Sequence, residues 1–434
     1  MRKQEEPRRE ILSDRTFMIW MVLLGVAAAG IRFAVAFPHG GFMSDQQLFV
    51  DWMEQVRQRG LASVYIEGSS INYPPIFLLL MDLYRAAVGW FGIVPAAGEL
   101  SFKGVLIVLD LILLAAALPL TRSAGRTRSR LFVLALLALN PALIFGSASW
   151  GQVDMLHSML MAAMLLMLPS LPLLAGVLFA LALLSKFQAV TLLAVLGIYF
   201  LRRLANRQGI RSLALFAAGF TSIMGVTAVF FAQAGGLQAM VKGAYLSAVG
   251  MYPQVTMNAM NIWYYFIGTS PTTPDTTRVF GVLTLRSAGF LLLALFVAFA
   301  AVYLWKSRLN ASSLLKSAAL VNFAFFMLPT EIHERYSVPA LVLSIFVCLY
   351  DRKWRIPAIL LSLSVTANLW MVQAGTIGIY TGLVVVYVNV ALLLWMVGSL
   401  YRELRQNHRD RRTADDERDL TSVVHGKAQT SGID

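Results

Sequence analysis

Cysteine is almost absent from this chain: Cys348 stands alone, inside an apolar run. A disulfide framework is thereby excluded, and so is a structural zinc site built on cysteines. Charge is scarce as well. Only 14% of residues are Asp, Glu, Lys or Arg, where soluble domains carry about a quarter. No Gly-rich nucleotide loop, no Walker sequence and no Asp-x-Asp pair occurs. A nucleotide-sugar donor is therefore not expected. No sustained internal repeat is present either, which argues against the repeat-built transporters.

What is abundant is apolar sequence, 58% of the chain. Many runs reach the roughly 17–25 residues that cross a bilayer. The pattern predicts spans at 16–36, 102–120, 131–149, 153–168, 171–185, 187–201, 212–233, 279–304, 312–330, 336–350, 356–373 and 376–399. The runs 153–168 and 171–185 are short enough to form one broken hairpin instead. The net charge of +13 is not read as a nucleic-acid surface. Its arginines cluster in short segments between spans, as the positive-inside rule produces. With residues 1–15 inside as a retained anchor's flank, the loops 121–130, 202–211, 306–316 and 351–355 are all basic and inside. The loops 37–101, 149–152, 234–278, 331–335 and 373–376 are then outside and poor in Lys and Arg. That assignment requires the run 76–94 to lie on the outer leaflet as an interfacial helix. Residues 16–400 form one transmembrane domain. The polar segment 401–434 is expected to be a disordered cytoplasmic tail.

Four polar motifs sit at the outer ends of spans: Ser44-Asp45-Gln46-Gln47, Tyr73-Pro74-Pro75, Trp150-Gly151-Gln152-Val153-Asp154 and His333-Glu334-Arg335-Tyr336. Charge beside a bilayer core is costly, so such residues are functional candidates. Residues 44–60 read as an amphipathic helix with Leu48, Phe49, Trp52, Met53 and Val56 on one face. Ser44 and Gln47 have the spacing of a capping box, which puts Asp45 at the first helical position. A carboxylate there is favoured by the helix dipole. Asp45 reads equally as part of the cap and as a general base. The Pro and Gly around Trp150 interrupt helices, which membranes tolerate where backbone lines a cavity. Asp154 is then aimed at that cavity. Asp154 and His157 share a face, but two ligands without a third make a weak metal site; no metal ligand is assigned and a divalent ion stays open. Lys186 ends a span and reads either as a snorkelling lysine or as a phosphate ligand. Arg335 breaks the positive-inside pattern and has the fork that matches phosphate oxygens. Asp110 lies mid-span and is read as structural, bonded to a neighbouring helix.

The run Ser44-Asp45, then Trp52-Met53, then Asn72-Tyr73-Pro74-Pro75 resembles the first lumenal loop of the GT-C glycosyltransferases. The dolichol-phosphate-glucose enzymes of N-glycan assembly carry Gly-Asp, Trp-Met and Asp-Tyr-Pro-Pro at these places. This chain has Ser44 where they have Gly and Asp51 where they have His, so the acceptor pocket is expected to differ. Asn140-Pro141 through Asp154 is similar to the bacterial relatives of the second mannosyltransferase of GPI-anchor synthesis. So are Lys186-Phe187-Gln188, Asn258-x-x-Asn261-x-Trp263 and the His-Glu-Arg at 333–335.

The resemblance covers most of residues 16–350. It implies an all-α polytopic fold of GT-C type, with about twelve transmembrane helices and interfacial helices in the first outside loop. It implies a glycosyltransferase, a mannosyltransferase in particular, that moves a sugar from a polyprenyl-phosphate donor to a lipid-linked or cell-surface glycan with inversion. Asp45 would be the base. Arg335, His333 and Lys186 would hold the departing phosphate. Asp154, Gln152, Trp150, Tyr73, Asp51 and Asn261 would line the substrate cavity, and the loop 234–278 would serve as lid or acceptor surface. The expected setting is a bacterial plasma membrane, with the site outside, membrane lipids around it and no nucleic acid. A transporter or flippase without chemistry is the rival reading. A membrane acyltransferase is weaker, since no serine or cysteine pairs with His333.

Overall fold

The computed structural model describes residues 14–66, 69–122, 127–206, 209–247, 250–279 and 281–430, with side chains from 15 to 409. In chain order the helices are α1 (Asp14–Ala36), α2 (Met43–Arg59), α3 (Pro75–Gly89), α4 (Leu100–Leu120), α5 (Thr127–Ala138), α6 (Pro141–Ile144), α7 (Asp154–Met167), α8 (Pro172–Ser185), α9 (Leu192–Ala205), α10 (Ile210–Gln233), α11 (Leu237–Val241), α12 (Leu285–Lys306), α13 (Ala311–Met327), α14 (Val338–Val347), α15 (Arg355–Gln373) and α16 (Ile379–Thr430). Four two-residue strands complete the list: β1 (Thr256–Met257), β2 (Arg278–Val279), β3 (Leu283–Thr284) and β4 (Ile332–His333).

Of the twelve expected spans, eight correspond to helices long and apolar enough to cross a membrane. The other four are shorter. Helices α7 and α8 have 14 residues each, α13 has 17 and α14 has 10. At 1.5 Å per residue, 14 residues reach only about 21 Å of a roughly 30 Å core. These short helices are not peripheral. Helices α13 and α14 are buried on nearly every face, and α7 packs between α8 and α14. The crossing of α8 and α10 is close because it is built on glycine. A Cβ at Gly176 would lie 2.0 Å from the Phe216 carbonyl, and one at Gly219 would lie 2.0 Å from that of Leu173. Small residues at a crossing let backbones approach, which is where membrane helices gain their packing energy.

Helices α2 and α3 pack on each other, and α3 continues onto α8. Helix α3 has 15 residues and buries Phe77, Leu78 and Met81. Its sequel, Trp90 and Phe91, is almost fully exposed, as suits aromatics at a membrane–water boundary. The basic ends of several helices meet at the opposite end of the bundle. Lys316 pairs with Asp351 at 2.8 Å and with Glu403 at 2.7 Å, and Arg202 donates to the Leu304 carbonyl at 2.7 Å. Helix α16 runs on through Thr430, where the sequence predicts a disordered tail. The segment continues a helix already nucleated in the bundle, so it adds residues without the cost of a new nucleus.

Asp110 has the partner on a neighbouring helix that its mid-span position demands. Arg32 Nε of α1 donates to Asp110 Oδ2 of α4 at 2.9 Å, and Ser147 Oγ donates to the same oxygen at 2.6 Å. Arg32 Nη1 also donates to the Ala138 carbonyl at 2.8 Å. Arg32 is fully buried and Asp110 nearly so. This ion pair locks α1 and α4 to the irregular segment that carries Trp150.

Candidate active site

That irregular segment begins at Asn140. Its Oδ1 accepts from the backbone N–H of Ala142 at 3.0 Å and of Leu143 at 3.4 Å, capping α6 behind Pro141. After Ile144 the chain widens into a π turn, Phe145–Trp150, a distortion common at functional sites. Gly151 ends it at φ +95°, and a Cβ there would lie 2.7 Å from the Gln46 side chain. Only glycine combines that backbone with that approach. The turn presents Trp150 and Gln152 toward the start of α2 as a result.

The expected capping box does not form. Phe42 is the N-cap of α2 without a side-chain cap, and Asp45 falls at the third helical position. The start of α2 is held instead by Gln46, which is fully buried. Its Nε2 donates to the carbonyls of Ser149 at 3.0 Å and Trp150 at 3.2 Å, and its Oε1 accepts from Gly98 N at 2.8 Å. With the backbone cross-linked at Gln46, the Asp45 carboxylate meets the π turn. Trp150 Nε1 donates to Asp45 Oδ2 at 2.9 Å and Gln152 Nε2 donates to it at 2.6 Å. Phe42 stacks on the Trp150 ring at 4.3 Å. Tyr73 O–H donates to Gln152 Oε1 at 3.2 Å, completing a chain from Tyr73 through Gln152 to Asp45.

Arg335 approaches from the far side. It lies in a turn between β4 and α14, with Nη1 at 2.7 Å from Glu334 Oε1 and 3.6 Å from Asp45 Oδ2. Its Nε is buried and has no partner among the described residues. Burial pushes the Glu334 carboxyl up, against the opposing pull of Arg335. Arg335 lines a narrow cleft with Trp150, Gln152 and Asp154. It also lines a cavity of about 360 Å³ shared with Tyr73, Lys186, Gln188 and His333. His333 sits between the rings of Tyr252, at 5.1 Å, and Tyr336, at 5.3 Å. Burial, with Arg335 and Lys186 nearby, holds its imidazole well below the usual histidine range. The neutral imidazole is thereby favoured at this position.

Other expected site residues stand differently. Lys186 lines the cavity but is ion-paired with Asp154, both nearly buried. Its ammonium also lies over the rings of Tyr73, at 5.6 Å, and Tyr336, at 5.4 Å. Its charge is thus compensated within the protein. Asp51 is not in the cluster. It is exposed on α2 and accepts from Gln47 Nε2 at 2.8 Å, because six positions along the helix turn it away from Asp45. Asn261 is fully buried and does not reach the cavity. It donates to the Phe326 carbonyl at 3.3 Å and accepts from Trp263 N at 3.0 Å. Irregular backbone inside a bundle needs such partners. Asn368 and Asn389 serve the same loop through Met260. The loop reaches the site earlier, where β1 pairs with β4 in register Met257↔His333 and Tyr252 meets His333. Among the described residues no group of three or more His, Cys, Asp or Glu is placed to hold a metal ion. The sequence gives no sign of Arg32, and it marks Gln46 and Gln188 as motif members without a role of their own. The tertiary contacts are what distinguish them.

No family model matches the chain, and no curated protein matches it. Solved structures do. ArnT from Cupriavidus metallidurans bound to undecaprenyl phosphate superposes with a TM-score of 0.50 at 13% identity, covering 90% of this chain and 78% of that one. The archaeal oligosaccharyltransferase AglB from Archaeoglobus fulgidus, in complex with an inhibitory peptide and a dolichol-phosphate, gives 0.39 at 11% identity, covering 88% of this chain and 56% of that one. The chain thus spans little more than half the length of AglB. The likeness to ArnT shows a shared polytopic helical fold.

Proposed function

We propose that the chain is an integral membrane glycosyltransferase that uses a polyprenyl-phosphate sugar, a mannosyl donor in particular, and faces outward from a plasma membrane. The acceptor is a lipid-linked or cell-surface glycan. The observation that carries this reading is the Asp45 carboxylate. Trp150 and Gln152 both bind Oδ2, Arg335 stands on the same oxygen, and Oδ1 has no partner among the described residues. A carboxylate fixed on one oxygen and open on the other, beside a cavity-lining arginine, suits a base next to an anionic leaving group. The likeness to ArnT, solved with undecaprenyl phosphate, supports a lipid phosphate as the donor's anchor.

In the proposed reaction the acceptor hydroxyl gives its proton to Asp45 as its oxygen bonds the anomeric carbon. The bond from that carbon to the phosphate oxygen breaks, and its electron pair leaves with the lipid phosphate. Attack opposite the leaving group inverts the anomeric centre. Arg335 stabilises the departing charge, the kind of electrostatic contribution that is often the largest in catalysis. Lys186, paired with Asp154, contributes a dipole and not a full charge. The test is incubation of purified protein with radiolabelled polyprenyl-phosphate mannose or glucose and a lipid extract. Label is expected to move from the polyprenyl-phosphate donor to a new product formed from the extract, and Asp45→Asn is expected to lower the rate about 10²- to 10⁴-fold. Absence of transfer from either donor, or an Asp45→Asn protein within a few-fold of wild type, refutes the reading.

A further inference from the structure

Gln188 belongs to the lining of the large cavity, and both of its amide atoms are buried without a hydrogen-bond partner among the described residues. It lies in the 3₁₀ turn Phe187–Thr191, two residues beyond Lys186. It is 6% exposed, and neither its Oε1 nor its Nε2 has a partner among the described residues. The turn that carries it is itself tied down. Thr191 Oγ1 bonds both the Gln188 carbonyl, at 3.0 Å, and Asn322 Oδ1, at 2.8 Å. The backbone is thus fixed, and Gln188 lines the cavity of about 360 Å³ together with Arg335, Lys186 and Tyr73. A buried amide without partners is unfavourable, and buried polar groups in native proteins are otherwise satisfied.

We infer that Gln188 reads the transferred sugar, by donating to one hydroxyl and accepting from its neighbour. The amide offers a donor and an acceptor a fixed distance apart, and two vicinal hydroxyls offer the complementary pair. The isoprenoid tail of a donor has neither group. The phosphate belongs with the cation Arg335 and not with a neutral amide. That leaves the sugar as the part of a polyprenyl-phosphate sugar that an amide on this wall can recognise. The inference rests on the donor class proposed above, and it makes Gln188 a determinant of which sugar is accepted.

The experiment is binding, followed by thermal protection of the full-length protein in detergent. The probes are undecaprenyl phosphate, undecaprenyl-phosphate mannose and its monodeoxy analogues. Wild type should bind the mannosyl lipid more tightly than the bare lipid phosphate. Gln188→Leu should weaken the mannosyl lipid about 10- to 100-fold and leave the bare lipid phosphate unchanged. At least one deoxy analogue should bind wild type as weakly as the mannosyl lipid binds the variant, and should be indifferent to the substitution. A Gln188→Leu protein that weakens both lipids alike, or neither, overturns the assignment. So does a wild type that ignores every deoxy substitution, which is measurable even if the variant fails to fold. Sugar-dependent binding without transfer in the radiolabel assay would leave this subsite standing and remove the glycosyltransferase reading.

Discussion

The chain Tyr73–Gln152–Asp45 makes a quantitative prediction about positioning. Gln152→Leu keeps the volume but deletes the 2.6 Å donor to Asp45 Oδ2 and the acceptor that receives the Tyr73 hydroxyl. A hydrogen bond to a charged group is worth about 1.5–3 kcal/mol, which corresponds to roughly 10- to 150-fold in rate. Trp150 Nε1 still holds the carboxylate at 2.9 Å, so activity should fall without vanishing. Gln152 acts on the carboxylate and lies outside the lining of the large cavity. The loss should therefore appear in kcat and leave the KM for the donor unchanged. Tyr73→Phe removes a neutral bond at 3.2 Å, worth about 0.5–1.5 kcal/mol. Because Tyr73 bonds Gln152, which in turn bonds Asp45, its effect should shrink in the Gln152→Leu background, the signature of coupled residues. Steady-state kinetics of the two single variants and the double variant settle this, with thermal unfolding to confirm that all three fold. A Gln152→Leu enzyme with unaltered kcat, or strictly additive effects, would show that the chain of hydrogen bonds does not position the base.

Arg335→Lys should raise the KM for the donor markedly while acceptor dependence changes little, because lysine keeps the charge but loses the planar grip on phosphate; initial rates against donor concentration check it, and an unchanged donor dependence rejects the clamp. Arg32→Met should destabilise the fold by about 3–5 kcal/mol by stranding Asp110, whereas Arg32→Met with Asp110→Leu should recover most of the loss; unfolding midpoints in detergent separate the two, and equal midpoints for the single and double variants would contradict the buried-pair account. For His333 the folded protein disfavours the proton, so between the ordinary histidine value of about 6.5 and its lowered folded value the unfolded chain binds more protons. Stability should therefore fall as the pH drops below about 6.5, and His333→Gln should reduce that slope; an identical pH dependence in the variant would mean that the imidazole titrates normally.

Much of the site was legible because its residues break local rules. Asp45, Trp150, Gln152, Tyr73 and Arg335 were each singled out as polar or aromatic groups at the end of an apolar span, and the fold brings all five together. Asp110 was legible as needing a partner. Its partner Arg32 was not, because a single arginine in the first span gives no sign of which helix it faces. Composition does not separate the short apolar helices from the long ones, for a related reason. Composition marks apolar segments, but a segment buried in the bundle and one spanning the bilayer have the same composition, so α7, α8, α13 and α14 read as spans. Asp51 and Asn261 failed in opposite ways. One residue shares its helix with Asp45 yet points elsewhere, and the other lies in the loop that reaches the site yet serves the loop's own backbone.

The finding with most consequence concerns charge. The sequence offers three groups for a phosphate: Arg335, Lys186 and His333. The fold gives each of them a different surrounding. Lys186 is paired with Asp154, and burial favours the neutral form of His333. Arg335 also has a carboxylate partner in Glu334 at 2.7 Å, but its contact with Asp45 is longer, at 3.6 Å, and its Nε is unmet. A guanidinium has five donors in a fixed fork, so Arg335 keeps donors beyond the one that Glu334 takes. Within this cluster the arginine is thus a cation still equipped to meet an anion. It is also the residue that borders both the cleft behind Asp154 and the cavity that holds Gln188. Pairing is set by distance in the folded molecule, and spacing along the chain carries no record of it. That is why the sequence named the cations and the fold decides which of them is available.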